Sequence, residues 1–313
     1  MMIRKNTLSI AALALALTGP ALAADLPRYK APPPPPPLPP MWTGFYVGLN
    51  AGGTWGNSNN VRTVSAPIAA IPGSNSARRY ALFSALGASG VGSGNTSGFI
   101  GGGQVGYNWQ FYNSFVGGIE ADIQGVAGNN RNTTTISAAG RFAFFGANEV
   151  LATAITTSKR LDYIGTVRGR LGWLFTPTLL AYGTGGLAYG GVSVSTGIAQ
   201  FNNDCAQFPG NCISAATFSS GAFSDTRVGW TVGGGLEWMF WPNWSAKVEY
   251  LYYDLGNVTY SAGLLPTVGN TFLANTLVAA VVSQSQTRFN GNIVRAGVNY
   301  HFNWGAPPVV AKY

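Results

Sequence analysis

The chain has 313 residues and a formal net charge of +8, yet only 9% of its residues are charged while 46% are of apolar type. The charged share is about a third of that in ordinary soluble domains, which argues against a water-soluble domain. Glycine (43 residues) and aromatic residues (13%) are abundant while Glu and Lys are scarce, which argues against a fold of long amphipathic helices.

The N-terminal segment predicts export. Arg4 and Lys5 precede an apolar run at 8–17, and the small-residue stretch Ala21-Leu22-Ala23 follows it. This pattern is typical of a cleaved secretory signal peptide, and its apolar run is too short to span a membrane as a helix. We therefore expect residues 1–23 to be removed on export.

A proline-rich linker follows at residues 24–41, with the stretch "PRYKAPPPPPPLPP" at 27–40. Such a composition forms neither helix nor central strand, and predicts an extended polyproline spacer in the periplasm. The spacer is either a stiff leader without a partner or a segment that docks on peptidoglycan through Arg28 and Lys30.

From residue 42 onward, the chain alternates apolar residues with polar or small ones at a period of two, which is typical of strands with two different faces. The eight segments with this pattern begin at Thr43, Ser97, Ser114, Leu161, Leu179, Arg227, Trp244 and Asn292. The fifth segment is rich in glycine, so its facing is ambiguous. Lipid cannot satisfy the backbone of an open sheet, so an exported chain with this pattern predicts a closed barrel in a bacterial outer membrane.

The connections between these segments alternate in length. Three are tight turns, at Tyr112-Asn113, Thr176–Thr178 and Trp241–Asn243, and four run roughly from 56 to 96, 127 to 160, 195 to 226 and 259 to 291. Short turns of such barrels face the periplasm and long loops face outside. We predict an all-β, transmembrane, antiparallel, eight-stranded up-and-down barrel over residues 42–302, with both termini and a tail at 303–313 in the periplasm.

Aromatic residues collect at the turn end of nearly every segment. Segments that run toward the turns end with pairs such as Trp173 and Phe175. Segments that run away from the turns begin with Trp42 and Phe45 or with Trp244. This placement predicts one aromatic belt at one membrane interface.

Several motifs are similar to those of a known family. The stretches "WTGFYVGLNAGGTWG", "DYIGTVRGRLGW" and "VRAGVNYHF" resemble the small OmpA-like eight-stranded barrels known as outer-membrane immunogenic or porin-like proteins of alphaproteobacteria. The resemblance implies a C-terminal insertion signal formed by Arg295, Gly297, Tyr300 and Phe302, read by the barrel assembly machinery. The stretch "NWGAPPVVAKY" continues beyond the final aromatic residue, where such chains usually stop.

The alternation places eight charged residues inside the barrel, four of each sign: Glu120, Asp122, Glu237 and Glu249 against Arg168, Arg170, Lys247 and Arg295. An eight-stranded barrel is about wide enough for its own side chains, and charges withdrawn from water are tolerable only when paired. We interpret this set as a structural plug. The alternative is a narrow ion path, although a selective path more typically shows a ring of one sign.

Signals for catalysis are weak. The single histidine, His301, is expected at the periplasmic rim, without a second imidazole for a metal or an obvious serine partner. The stretch Gly101, Gly103 and Gly106 spells GxGxxG but opens no helix, so we interpret these as strand glycines that thin the wall or make room inside. We expect no enzyme activity, no cofactor, no metal and no nucleic acid partner.

Two features of the long connections point to the cell surface. Cys205 and Cys212 predict a disulfide that closes a small loop, with an idle reduced pair as the alternative. Basic residues could hold lipopolysaccharide phosphates beside the outer leaflet. The candidates are Arg78, Arg79, Arg131, Lys159 and Arg160.

The sequence thus predicts an integral outer-membrane barrel with a structural, membrane-integrity and surface-presentation role. The alternative is a narrow or slow porin, which would be favoured if segments such as 258–282 added strands and widened the lumen. An enzyme acting on lipid would need an acid and a base near the outer rim, which the sequence does not supply.

Overall fold

The computed structural model describes residues 42–69, 71, 73–112, 114–128, 132–142, 149–202, 216–268 and 277–302. The predicted signal peptide, linker, tail and disulfide lie outside these residues. The elements in chain order are β1 Gly44–Gly56, β2 Asn60–Ala69, α1 Asn75–Gly87, β3 Gly90–Ser93, β4 Gly98–Phe111, β5 Phe115–Ala127, β6 Asn132–Phe142, β7 Glu149–Thr176, β8 Leu179–Asn202, β9 Ala216–Trp241, β10 Trp244–Ser261, β11 Leu265–Val268 and β12 Leu277–Phe302.

Within the described ranges, eight strands close a ring in the order β1-β4-β5-β7-β8-β9-β10-β12, and β12 pairs back to β1. Every neighbouring pair is antiparallel; Phe45 of β1, for example, lies opposite Phe302 on one side and Tyr107 on the other. The ring confirms the predicted eight-stranded barrel, and its closure leaves no open edge for lipid to meet.

The two faces of the ring follow the period-two pattern. Leu49 is 74% exposed on the outer face, whereas Tyr46 and Asn50, which have the opposite parity on the strand, are buried inside. The ambiguous fifth segment, which is the lower part of β8, turns Leu180 and Tyr182 inward and Leu187 outward. Its glycines hid this alternation in the sequence because glycine carries no side chain to mark a face.

The three predicted tight turns are confirmed as connections of two or three residues. β7 and β8 are joined through Pro177 and Thr178, and β9 and β10 through Pro242 and Asn243. Asn243 has a φ of 72°, a left-handed conformation that asparagine tolerates in turns.

The aromatic belt at the turn end is confirmed with one correction. Trp109, Trp173 and Trp238 are exposed on the outer face at this end, but Trp42 is 1% exposed and lies inside the barrel. The prediction that Trp42 joins the belt is therefore wrong. Trp42 precedes β1, so the strand alternation does not fix its facing.

A second aromatic row, which was not predicted, lies at the other end of the barrel. Trp55, Phe99 and Trp230 are exposed on the outer face there. The ten residue steps from Phe45 to Trp55, at ~3.3 Å each and with the usual strand tilt, span about 25 Å along the barrel axis, the height of an outer-membrane apolar band.

The long connections are more ordered than predicted. β7 begins at Glu149 instead of near 160, and its pairing with β8 continues from Thr176 to Leu151 opposite Asn202. β9 and β12 also extend well beyond the second aromatic row. We call this part of the molecule, formed by the strands beyond that row together with β2, α1 and β3, the extension. Its strands are rich in Thr, Ser and Ala, and their outer face carries only scattered large apolar residues, such as Ile136 and Phe218.

The segment 258–282 does not widen the ring. Its strand β11 pairs with β12 only within the extension, at Leu265 opposite Val281. Strand β2 likewise pairs with β12 there, so the described strands add height to the barrel and leave eight crossings.

The first long connection contains the helix α1. Ser74 caps its N-terminus by accepting a hydrogen bond from the Ala77 amide at 3.2 Å. Tyr80 and Ala81 pack against Leu151 and Ala279, and Ser84 is hydrogen-bonded to Gln200 of β8 at 2.5 Å. None of the helical residues in the described ranges form a helix long and apolar enough to cross a membrane.

Candidate functional site: the barrel interior

All eight charged residues predicted to face the lumen do so, each with 5% or less of its surface exposed. The register explains the arrangement, because three oppositely charged pairs lie directly across from each other on neighbouring strands. These pairs are Glu120 with Arg168, Lys247 with Glu237, and Glu249 with Arg295.

Arg168 is the centre of the network. Its Nη2 atom lies 2.5 Å from Oε1 of Glu120 and 2.8 Å from Oδ2 of Asp122, and its Nη1 atom lies 2.9 Å from Oε1 of Glu249. One guanidinium therefore joins three carboxylates that come from two different strands.

Arg295 and Lys247 reach the same carboxylates from the opposite side of the barrel. Arg295 donates from Nη2 to Asp122 at 2.8 Å and from Nε to Glu249 at 2.8 Å. Lys247 donates to both oxygens of Glu120, at 2.8 and 2.9 Å. The contacts join β5, β7, β10 and β12 across the lumen, so no acid in this centre is left with a single partner.

A second group lies closer to the turns. Arg170 donates to Glu237 at 2.6 Å and to the hydroxyl of Tyr46 at 3.1 Å, and that hydroxyl donates to Glu120 at 2.7 Å. Tyr46 thereby links the two groups into one network. Glu237 also accepts from Asn299 at 2.7 Å.

Neutral side chains occupy much of the remaining hydrogen-bonding capacity. Thr166 and Gln124 donate to Asp122 at 2.7 and 2.8 Å, and Tyr182 donates to Glu249 at 3.1 Å. The alternation along each strand indicated that these side chains face inward. Which carboxylate each of them contacts was decided only by the closure of the barrel.

Inward-facing glycines leave room for this network. A Cβ atom at Gly106 would lie 2.4 Å from the Tyr46 ring carbon Cζ, and one at Gly52 would lie 2.6 Å from Cα of Arg295. Gly101 and Gly103 belong to the outer-facing parity and meet nothing closer than 3.7 Å. The prediction that strand glycines make room inside is confirmed at Gly106.

An apolar cluster fills the lumen at the turn end of the network, and we call it the lower plug. Its members are Trp42, Val116, Leu174, Leu180, Tyr182 and Met239. The indole Nε1 of Trp42 donates to the carbonyl of Pro177 at 2.9 Å. Trp42 thus lies across the turn end of the barrel.

A larger apolar cluster, the upper plug, fills the lumen on the other side of the network. Ile293 and Leu251 are the next inward residues after Arg295 and Glu249. The full buried set is Val61, Ile100, Leu161, Ile164, Ala188, Val192, Val194, Leu251, Tyr253, Leu255, Val258, Tyr260, Phe289 and Ile293. Sequence reasoning missed it, because an apolar residue that alternates with apolar lipid-facing neighbours carries no facing signal.

His301 lies at the turn end as predicted, but its placement as a rim side chain is wrong because it is 2% exposed. Its ring packs edge-on against Trp42 with centroids 5.8 Å apart. Nε2 of His301 lies 2.8 Å from Oγ of Ser245 and 3.5 Å from Glu237. A catalytic triad needs serine and carboxylate on opposite ring nitrogens, whereas here both approach the same one. The described residues contain no group of three or more His, Cys, Asp or Glu side chains that could hold a metal ion.

The proposed lipopolysaccharide contacts are dispersed in the extension. Arg78 and Arg79 are exposed on α1, and Arg160 is 43% exposed and lies 3.9 Å from Asp162. Arg131 lies outside the described residues.

Lys159 is a correction, because it is 1% exposed and cannot reach lipid phosphates. Its Nζ atom donates to the carbonyls of Ser58 at 2.5 Å and Arg288 at 2.6 Å, and lies 4.5 Å from the centroid of the Phe289 ring. Ser58 lies beyond Trp55 of the second aromatic row, so Lys159 is outside the apolar band. Burial lowers its pKa to about 8. A β-bulge between Leu161 and Tyr163 changes the inward-facing residues of β7 from even-numbered ones, such as Thr166, to odd-numbered ones, and this change turns Lys159 inside.

A closed antiparallel ring with a lipid-facing outer surface and a packed interior defines an integral β-barrel protein of an outer membrane. Residues 9–302 match the family model described as outer membrane protein beta-barrel domain, and the chain belongs to this family. The family expected from the resemblance is confirmed.

Two curated relatives are similar to the chain. The 31 kDa outer-membrane immunogenic protein of Brucella melitensis biotype 1 is 33% identical over 295 residues, which cover 94% of this chain and 98% of that protein. The 22 kDa outer membrane protein of Rhizobium leguminosarum bv. viciae is 33% identical over 178 residues, which cover 54% of this chain and 62% of that protein.

Among solved structures, OprG of Pseudomonas aeruginosa has 11% identity and a TM-score of 0.34, covering 83% of this chain and 97% of its own. Neisserial surface protein A has 12% identity and a TM-score of 0.28, and the match covers 83% of this chain and 98% of that chain.

Proposed function

We propose that this protein is a non-conducting outer-membrane barrel that reinforces the membrane and carries a folded extension at the cell surface. The observation that supports the proposal is the filling of the lumen along its length. The lower plug, the ion network and the upper plug follow one another along the barrel axis, and their side chains are buried.

The charges in the network favour a plug over a path. A permeating ion would have to displace contacts such as that of Arg168 with Glu120 at 2.5 Å and would then meet the apolar upper plug. Four residues of each sign also leave no ring of one sign to attract either anions or cations. A structural role is the function that this arrangement serves best.

Single-channel recording in a planar bilayer tests the plug. Purified protein, with its folding checked by heat-modifiable gel mobility, should give no steady conductance, while a general porin inserted in the same bilayer gives open-channel steps. Steady conductance that collapses in Arg168→Glu would support the alternative of a narrow porin and overturn the plug.

We also propose that the turns face the periplasm and that the extension faces outside. The second aromatic row, at Trp55 and Trp230, separates the apolar band from the polar outer surface of the extension. With eight crossings, both termini then lie in the periplasm, where an export signal would deliver the N-terminus. In intact cells whose protein carries Cys205→Ser and Cys212→Ser, a membrane-impermeant maleimide should label an added Ser158→Cys in the extension and leave an added Thr178→Cys in the turn unlabelled. The reverse labelling would overturn this orientation.

Surface presentation is the second part of the proposal. The Brucella relative is named an immunogenic protein, and the extension of this chain is the part suited to be seen from outside. Exposed Arg78 and Arg79, together with Arg160, are proposed to hold lipopolysaccharide phosphates. Replacing all three with serine should weaken retention of lipopolysaccharide by the purified protein at low salt. The buried-site variant Lys159→Met should leave that retention unchanged.

The C-terminal strand is proposed to carry the insertion signal read by the barrel assembly machinery. Tyr300 and Phe302 pack edge-on with centroids 5.1 Å apart on the outer face, while Arg295 points into the lumen. Phe302→Ala should slow assembly in cells without changing the stability of refolded protein, which separates recognition from folding. Docking of the linker on peptidoglycan stays a proposal tested by pull-down with and without residues 27–40.

A further inference from the structure

A groove of about 540 Å³ lies on the outer face of the extension. Its floor is formed by Ala154 and Thr156 of β7 and by Gly197 and Ala199 of β8. These residues form rows that run across three neighbouring strands. Thr156 of β7 pairs with Gly197 of β8, and Gly197 pairs with Ser220 of β9. Small residues in adjacent rows keep this part of the sheet surface low.

Two walls bound the groove on the β9 side. Phe218 is 65% exposed and packs edge-on against Phe201, with ring centroids 6.1 Å apart. Beside it, the backbone of Gly263 donates to the carbonyl of Ser220 at 2.9 Å, which brings Leu264 over the edge of β9. The groove therefore has an aromatic face, an aliphatic face and hydroxyl groups between them.

The lining carries no charged residue among the described side chains. It thus differs from the phosphate contacts proposed for Arg78, Arg79 and Arg160. It also differs from the two grooves on the lipid-facing surface, one of which is lined by Leu49, Leu236 and Val248 and the other by Tyr107, Trp109 and Ile119. Those grooves lie within the apolar band, where acyl chains cover them.

The position of the groove indicates what it meets. Ser220 lies ten residues beyond Trp230 on β9, which places the groove roughly 25 Å beyond the second aromatic row at ~3.3 Å per residue and the usual tilt. The groove faces sideways at this height. In the proposed orientation, that layer is filled by the sugars of the outer leaflet.

We propose that this groove binds a neutral saccharide. The C–H face of a hexose ring would lie on the Phe218 ring, whose negative face attracts polarised C–H groups. The hydroxyl of Ser220 would exchange hydrogen bonds with sugar hydroxyls, and that of Thr156, which shares a hydrogen bond with Thr134 at 3.0 Å, still has capacity for one more. The volume is in the range of small-ligand sites. The proposal rests on the proposed orientation for the source of the sugar, but the chemistry of the groove does not depend on it.

Gly197 provides a direct test of the site. A Cβ atom at Gly197 would meet nothing within 4 Å, and its φ is not in the left-handed region. Gly197→Trp therefore fills the groove without disturbing the sheet. Val64→Trp is the matched control, because Val64 is 54% exposed on β2, which contributes no residue to the groove.

The experiment uses the whole barrel in a phosphocholine detergent, which has no sugar headgroup. Saturation-transfer NMR with maltotetraose and cellotetraose should show transfer to sugar C–H protons. Gly197→Trp should abolish the transfer, Phe218→Ala should weaken binding roughly fivefold, and Val64→Trp should leave it unchanged. Absence of transfer from both tetrasaccharides, or transfer that survives Gly197→Trp, would overturn the proposal.

A second arm identifies the source of the sugar. In vesicles that contain lipopolysaccharide with its core saccharide, added tetrasaccharide should be excluded from the groove, whereas in vesicles with lipid A alone it should bind. Equal binding of the tetrasaccharide in the two kinds of vesicle would show that the groove binds free saccharides and not the core sugars of lipopolysaccharide. The groove would still be a saccharide site. If the maleimide pattern were reversed while tetrasaccharide still bound, the proposed orientation would be overturned and the saccharide site would stand.

Discussion

Glu249 and Arg295 lie directly opposite each other on β10 and β12, and Nε of Arg295 donates to Oε2 of Glu249 at 2.8 Å. Glu249 is 1% exposed and also accepts from Arg168 at 2.9 Å. One carboxylate thus bridges two guanidinium groups inside a barrel surrounded by lipid.

Removing that carboxylate should be costly. Glu249→Gln leaves buried positive charge without its partner, and we expect the free energy of unfolding to fall by about 3–5 kcal/mol. Urea unfolding in phosphatidylcholine vesicles, followed by tryptophan fluorescence, measures the change. Thr259→Ala, on the exposed outer face of β10, is the control and should change little.

Restoring the charge balance should recover part of this loss. The double variant Glu249→Gln with Arg295→Gln again has equal numbers of acids and bases, so it should be less destabilised than the sum of the two single variants. A double variant that loses the full sum would show that the two side chains are not coupled.

Trp42 should stabilise the turn end of the barrel. Trp42→Ala removes a buried indole from the lower plug, and we expect a loss of about 3–5 kcal/mol in the same urea assay. Because the upper plug is unchanged, the variant should still be silent in a planar bilayer. Trp241→Ala provides the control, since Trp241 is 68% exposed in the belt; an equal effect of both variants would contradict the internal position of Trp42.

Two glycines of β4 should differ sharply. A Cβ at Gly106 would lie 2.4 Å from the Tyr46 ring, whereas a Cβ at Gly103 meets nothing closer than the Gly48 carbonyl at 3.7 Å. Gly106→Ala should therefore cost about 1–3 kcal/mol through overpacking. Gly103→Ala should be nearly neutral in the same unfolding assay, and similar values for both would show that Tyr46 is free to move aside.

Lys159 should make the extension sensitive to alkaline pH. Burial lowers its pKa from 10.5 to about 8 in the folded protein, so between these values the unfolded chain binds more protons than the folded chain. Stability should thus rise with pH from about 8 to 10.5, by up to ~1.4 kcal/mol per pH unit. Hydrogen exchange of the β7 amides near Lys159, recorded as a function of pH, measures this local stability. Subtracting the same pH profile of Lys159→Met removes the contributions of other titrating groups. A wild-type profile identical to that of Lys159→Met would contradict the assignment.

The sequence by itself determined the number of crossings, the facing of all of them except the glycine-rich fifth, and the membership of the ion network. Alternation is a local property, so Glu120, Arg168 and Arg295 could be placed inside without knowing their partners. The tight turns at Pro177 and Pro242 were equally readable, because turn residues act within a few positions.

The tertiary structure alone decided the rest. Trp42 and His301 are buried because the residues just before β1 and the last strand meet at the turn end. Lys159 is buried because a bulge in β7 turns it inward beyond the membrane and the segment at Ser58 covers it. The upper plug joins residues as distant in sequence as Val61 and Ile293. Period-two alternation records which face a side chain takes, but not which distant strand closes over it, and only closure of the ring supplies that information.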